Sequence, residues 1–250
     1  MNLANIYKYR GQIFLLYPTI LIWGTLVNRV LDLMDVKVSK ESFLLSSKGP
    51  LNRVFAGHSF EGFFLCFALS TYYVISLKRT EMVLPLTSRS GLSTRAILSR
   101  QAFKLTVIYV WLSVQIVWFF GDSVFDRILG LTGGHCLQKA GLNYRQCRLL
   151  DGKWIGGTKF SGHSLILSCF GLCLIFELEN VSKTYRPDAA KPLLKGLLFC
   201  CSVYISAWLL LFTITAIFYH TLPEKIVGLA AGMFVPYLLY FKLEAKLKIV

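Results

Sequence analysis

The sequence predicts an all-α integral membrane protein of about six transmembrane helices, with little mass outside the bilayer. Three observations carry that reading. The 250 residues are 55% hydrophobic and only 16% charged, with a mean hydropathy of +0.56, whereas soluble domains carry about 25% charged residues. The apolar residues gather into runs at about 12–28, 60–77, 103–120, 163–180, 197–219 and 226–241, each near the ~20 residues a helix needs to cross hydrocarbon. The basic residues fall in the short stretches between those runs, where membrane proteins keep the charges that set their orientation.

The first run contains Pro18 and the last Pro236, both tolerated in membrane helices because neighbouring groups re-satisfy the freed backbone. The first is not read as a cleavable signal, since Trp23-Gly24-Thr25-Leu26 lacks a small-x-small site. The third and fifth runs are the most continuous. The whole chain, 1–250, reads as one polytopic membrane domain without internal repeats. A net charge of +14 would suit nucleic acid, but no basic block with interleaved aromatics stands apart from the apolar runs. Nucleic acid is therefore not an expected partner.

Six spans put both termini on one side, and that side carries 15 of the 27 Lys and Arg residues but 5 of the 13 Asp and Glu. The positive-inside rule then puts both termini in the cytoplasm. The tail Lys246-Leu247-Lys248-Ile249-Val250 fits a Lys-x-Lys-x-x signal that returns membrane proteins to the endoplasmic reticulum, in keeping with that orientation. A large luminal loop remains at about 121–162, holding Cys136 and Cys147, while the other five cysteines fall within spans. In an oxidising lumen these two thiols are a candidate disulfide, and two free thiols are the alternative. The sequon Asn180-Val181-Ser182 falls on the cytoplasmic side and is expected to stay unmodified.

All four histidines, His58, His135, His163 and His220, then lie at or near the luminal face. His163 follows Gly156-Gly157-Thr158-Lys159-Phe160-Ser161-Gly162. Glycines allow close backbone approach, and a helix start offers N–H groups and positive potential to a phosphate. The plainer alternative is that Ser161 caps the fourth span and His163 sits at the interface. His220 precedes Thr221-Leu222-Pro223-Glu224. Glu224 could hold the imidazole in one tautomer, or form a capping box with Thr221, and the two roles are compatible. Two histidines on one face suggest phosphoryl transfer, one imidazole attacking phosphorus and the other protonating the leaving oxygen. The developing charge would be met by the Ser161–Gly162 backbone and a cation such as Lys153. No metal is expected, because scattered histidines without close spacing do not supply three or four converging ligands. His58, His135, Glu61, Asp122, Tyr72-Tyr73 and Trp118 read as interfacial, loop or packing residues.

The blocks Gly133-Gly134-x-Cys136, Cys147-Arg148-Leu149, Gly152-Lys153-Trp154, Gly156-Gly157 and Ser161-Gly162-His163, with Thr215–Thr221, Glu224-Lys225 and Gly228, resemble the fat storage-inducing transmembrane (FIT) family, fungal members above all. The resemblance implies a six-span protein of the endoplasmic reticulum that supports lipid droplet formation and membrane lipid balance. The family is in turn similar to lipid phosphate phosphatases. On that likeness Ser161-Gly162-His163 matches the second phosphatase motif, and His220 with Glu224 the third. His220 would then be the nucleophile and His163 the general acid. The implied activity is fatty acyl-CoA diphosphatase without a cofactor, releasing acyl 4′-phosphopantetheine and adenosine 3′,5′-bisphosphate. The alternative is a non-enzymatic protein that binds diacylglycerol or triacylglycerol and partitions it into droplets. The phosphatases' Lys-x6-Arg-Pro motif is missing: Arg186-Pro187 has no Lys seven positions earlier, and Lys159-Phe160 stands where relatives usually have an acidic residue.

Overall fold

The structure, a computed structural model, describes residues 3–36, 45–46, 49–83, 93–117, 122–184 and 191–244. Trp118, the Arg186-Pro187 pair and the tail Lys246–Val250 lie outside them. Helix α1 (Leu3–Phe14) is followed by α2 (Leu16–Leu33). Pro18 falls just past the α1–α2 junction; the Leu15 and Thr19 amides still reach the Gly11 and Leu15 carbonyls, so the helix runs on through Tyr9–Leu33 with one ladder bond lost at the proline. A π-helical turn at Asn52–Gly57 leads into α3 (Ser59–Val83), and α4 runs over Thr94–Ile116. After a folded connection come α7 (Gly162–Thr184), α8 (Lys191–Phe218) and α9 (Leu222–Tyr237). Pro236 breaks the ladder of α9, and the chain continues as a π-helical turn over Leu238–Leu243.

Five helical segments are long and apolar enough to cross a membrane: Tyr9–Leu33, Ser59–Leu77, Gly162–Ser182, Pro192–Phe218 and Leu222–Leu243. The chain is an all-α integral membrane protein. Helix α4, which holds most of the run 103–120, carries Arg95, Arg100 and Lys104 and is not among the five.

Helix α7 is the axis of the bundle. Of its most apolar stretch 78% is buried, against 17–39% in the other four segments, so it meets protein on nearly every side. Its tightest neighbour is α9. A Cβ on Gly228 would stand 2.5 Å from the carbonyl oxygen of Ser161, and one on Gly232 would stand 2.5 Å from that of Leu165. Gly228 and Gly232 therefore face Ser164 and Ser168 as small residues at four-residue spacing, which lets two membrane helices approach backbone to backbone. Tyr17 of α2 donates to the Leu167 carbonyl at 2.9 Å, and Gly24 packs on Ala216 of α8.

At one end of the bundle lie His163 and His220; the other end is closed by buried charge. There Lys104 reaches Glu177 at 2.6 Å, with their side chains 6% and 3% exposed. Tyr240 and Gln101 also donate to Glu177. Arg10 pairs with Glu179 at 2.7 Å and Glu244 at 2.5 Å. Asn180 donates to Glu244 and accepts from Arg10. Glu177 and Glu179, two of the five acidic residues on the side of the termini in the tally above, are thus interior groups tying α1, α4, α7 and the end of α9 together.

The connection at 121–162, expected as a loop, carries order of its own. Helices α5 (Val124–Leu131) and α6 (Tyr144–Leu149) flank β1 (His135–Cys136), which pairs antiparallel with β2 (Trp154–Ile155). Ser123 caps α5, and Asn143 with Gln146 forms a capping box on α6. Cys136 and Cys147 are joined by a disulfide. Beneath it, a Cβ on Gly152 would lie 2.7 Å from the Cys147 sulfur, so the bridge occupies the space a side chain there would need.

Removing one partner of a buried ion pair costs about 3–5 kcal/mol because the other charge is stranded. Glu177→Ala is expected to lower the unfolding temperature in detergent by several degrees or more, and Lys104→Met/Glu177→Leu to recover most of that loss. Thermal unfolding followed by circular dichroism checks both.

Candidate active site

His163 is the second residue of α7, and His220 stands in the corner between α8 and α9. The start of α7 is fixed by Ser161, whose fully buried hydroxyl accepts from the Ser164 amide at 3.2 Å and from the Ser164 hydroxyl at 2.9 Å. Ser161 is thus the helix cap. Of the two roles the sequence leaves open, the cap is the one it fills here: its hydroxyl is spent on Ser164, and its amide donates to the Glu224 carbonyl at 3.3 Å. The amides of Gly162 and His163, in the uncapped part of the first turn, make no hydrogen bond with a described residue. They leave positive potential at this end of α7.

His220 has a backbone φ of +59°, a left-handed conformation that costs free energy for a residue with a side chain. Two features hold it there. Thr221 and Glu224 form a capping box on α9, with the Thr221 amide donating to Glu224 Oε2 at 2.8 Å. The same Oε2 lies 3.4 Å from His220 Nδ1, with side-chain exposures of 22% and 14%. Glu224 is therefore both a cap and the orienting partner of an imidazole. Its other oxygen accepts from the Lys159 amide at 3.1 Å. A carboxylate at Nδ1 leaves Nε2 as the ring nitrogen for chemistry.

The two imidazoles line one cavity of ≈ 140 Å³, together with Asn52, Thr215, Tyr219 and Ile214. That exceeds the ~10–15 Å³ one water needs and is well below the ~300–1,000 Å³ that encloses a drug-sized ligand. It suits a phosphate group, not a whole cofactor-sized molecule. Leu211 and Ile214 of α8 supply its apolar side. Asn52, on the π-helical turn before α3, holds His163: its Oδ1 lies 2.7 Å from His163 Nε2. The sequence offered no signal for Asn52, because its partner lies 111 positions away.

Lys153 is not brought to this cavity. It is exposed and lines a separate cleft beside Arg148 and Trp154, at the residue that precedes β2. Among the described residues, no Lys or Arg lines the histidine cavity. Lys225 is turned away, its ammonium donating to the Ala216 carbonyl at 2.6 Å. His58 is exposed beside Glu61, and His135 is exposed in the lobe. Among the described residues no group of three or more metal-ligating side chains occurs.

Burial pushes the His220 pKa below its ordinary value of 6.5. Glu224 opposes that shift, and the cations Lys159 and Lys225 add to it. The imidazole is therefore neutral near pH 7, the state a nucleophile requires. Lys159→Glu removes a charge that disfavours the imidazolium and adds one that favours it, so the His220 pKa is expected to rise. NMR titration of the histidine ring protons in wild type and variant measures the direction.

Residues 48–194 match the family described as fat storage-inducing transmembrane protein. An acyl-coenzyme A diphosphatase of Schizosaccharomyces pombe is 27% identical, over 92% of this chain and 85% of its own length. One of Saccharomyces cerevisiae is 26% identical, over 91% of this chain and 90% of its own. A human acyl-coenzyme A diphosphatase is 28% identical over 47% of this chain and 48% of its own. No solved structure matches.

Proposed function

The chain belongs to the fat storage-inducing transmembrane family, and from that premise we propose that it is a fatty acyl-CoA diphosphatase. The observation that carries the reading is the sharing of one phosphate-sized cavity by His163 and His220, in relatives of proteins named for this activity. His220 Nε2 attacks one phosphorus of the anhydride while the bridging P–O bond breaks. The departing phosphate takes a proton from His163. Water then attacks the phosphorus held by His220, gives its proton to His163, and frees the imidazole as the second product leaves. Acyl 4′-phosphopantetheine and adenosine 3′,5′-bisphosphate result.

In this scheme Glu224 orients His220 and Asn52 orients His163, each engaging one ring nitrogen and leaving the other to the substrate. The Gly162 and His163 amides would face charge that grows on the phosphoryl oxygens. The acyl chain stays among the helices.

The chain crosses the membrane six times in this reading, α4 included, with both termini in the cytoplasm and the histidines facing the lumen of the endoplasmic reticulum. Support comes from the Lys and Arg distribution and from the disulfide in the histidine-side lobe, since disulfides persist in oxidising compartments. Asn180, the acceptor of the one sequon, is bonded to Glu244 and Arg10. In this reading the protein supports lipid droplet formation and membrane lipid balance. The second reading, carriage of diacylglycerol or triacylglycerol without catalysis, has one observation in its favour. An apolar groove of ≈ 300 Å³ lies between α3, α4 and α7, lined by Phe60, Phe63, Phe64 and Phe170.

Purified protein incubated with oleoyl-CoA separates the two. His163→Ala and His220→Ala are each expected to reduce release of adenosine 3′,5′-bisphosphate by ~10²–10⁴-fold while the protein stays folded; full turnover in either removes the mechanism. Asn52→Ala is expected to cost up to ~10²-fold, as loss of orientation does. Because the His220 pKa lies below 6.5, activity should hold as pH falls to that value and decline beneath it, as the nucleophile takes a proton. Glycan on Asn180 in cells would overturn the orientation.

A further inference from the structure

An acyl-CoA brings three phosphates to a cavity that, among the described residues, no Lys or Arg lines. Charge of that size needs cations within reach, and they stand next door. Two adjoining clefts of ≈ 520 and ≈ 440 Å³ share Leu129, Tyr144, Arg148 and Lys159. Lys153 completes the cations of the first and Arg145 those of the second. Two carboxylates also line them. Asp151 is exposed in the first. Asp126 in the second already accepts from the Ser123 hydroxyl. The balance is positive, and both volumes fall within the ~300–1,000 Å³ of small-molecule sites.

The walls are suited to a nucleotide. Tyr144 and Trp154 meet edge to face at 5.6 Å, an aromatic corner of the sort on which a base stacks. Lys159 donates to the Tyr144 hydroxyl at 2.9 Å, which sets its ammonium at the edge of that corner. The disulfide falls inside α6, at the residue before Arg148, so the cations hang from a cross-linked frame and are pre-organised. The second cleft also reaches the start of α7. Gly162, the neighbour of His163, lines the second cleft, and the Lys159 amide is bonded to Glu224.

We propose that this lobe is the nucleotide site of the enzyme: Arg145, Arg148, Lys153 and Lys159 bind the adenosine 3′,5′-bisphosphate half of acyl-CoA while the histidine cavity holds the anhydride. The proposal rests on the diphosphatase reading and divides the substrate between two places. The lobe selects the nucleotide, the membrane helices take the chain, and the histidines work between them. Lys159, at the junction, belongs to both.

Two measurements on the full-length protein in detergent test it. The first is the KM for oleoyl-CoA and for its 3′-dephospho analogue in wild type, in Arg148→Glu/Lys153→Glu, and in Lys139→Glu. Lys139 is an exposed lobe residue outside both clefts. The double reversal should raise the KM for oleoyl-CoA by on the order of tenfold, the analogue's by less, and leave kcat nearly unchanged, since exposed charge contacts act chiefly on encounter and binding. Lys139→Glu should match wild type. An unchanged KM in the double variant, or an equal rise in Lys139→Glu, overturns the proposal while leaving the diphosphatase reading intact. The second is calorimetric titration of His220→Ala protein with adenosine 3′,5′-bisphosphate, which needs no turnover. Binding abolished by the double reversal supports the cleft even if wild type proves unable to cleave acyl-CoA. Absence of binding, or binding of lysophosphatidic acid in its place with no response to the nucleotide, overturns it.

Discussion

Glu224 ties two separate pieces of chain together at one point. One oxygen receives the Thr221 amide and approaches His220 Nδ1, and the other receives the Lys159 amide; the backbone carbonyl of the same residue receives the Ser161 amide. The corner between α8 and α9 is thereby stitched to the strand that leads into α7. Because α7 starts one residue after Ser161, this stitching decides where His163 stands relative to His220. The Gly228–Ser164 and Gly232–Ser168 contacts continue the seam down both helices. The site is therefore a property of the α7–α9 pair, extended by Asn52 from the turn before α3.

The opposite end answers a different demand. Charged side chains buried at membrane depth are expensive unless paired. Here Lys104, Arg10, Glu177, Glu179 and Glu244 pair almost completely with one another. Such clusters add less stability than an apolar core would, and their attested use is to fix register. Arg10 joins α1 to α7 and to the turn after α9, so the first and last described helices are located against the central one by the same guanidinium. At the histidine end the one buried cation among the described residues, Lys225, is spent on the Ala216 carbonyl, and Arg145, Arg148, Lys153 and Lys159 lie in the disulfide-linked lobe.

How much of this was legible in the sequence depended on the range over which each residue acts. Apolar runs are local signals, and they disclosed the membrane helices; so are caps, and the Thr221–Glu224 box was readable for that reason. The pairing of His163 with His220 could be inferred from topology plus the family resemblance. Asn52 could not, since nothing nearby distinguishes it from any polar residue before a helix. Lys153 is one of several basic residues the sequence offers as a phosphate partner, but it lines a separate cleft while the Lys159 amide lies against Glu224. Ser161 reads equally as cap or ligand, and only the position of Ser164 decides. Glu177 and Glu179 look like flanking charges until α4 and α1 are seen to bring Lys104 and Arg10 to them.

The histidine cavity has aliphatic Leu211 and Ile214 from a bilayer-crossing helix on one side, and hydrogen-bonding Asn52 and Tyr219 among its remaining walls. A substrate that lodges its hydrocarbon in the sheet of lipid and its polar end in this recess is met by diffusion in two dimensions, not three. The quantity that governs occupancy is then the mole fraction of acyl chains in the leaflet. Diluting the leaflet with inert lipid would slow such a protein even when the bulk concentration of substrate is held constant.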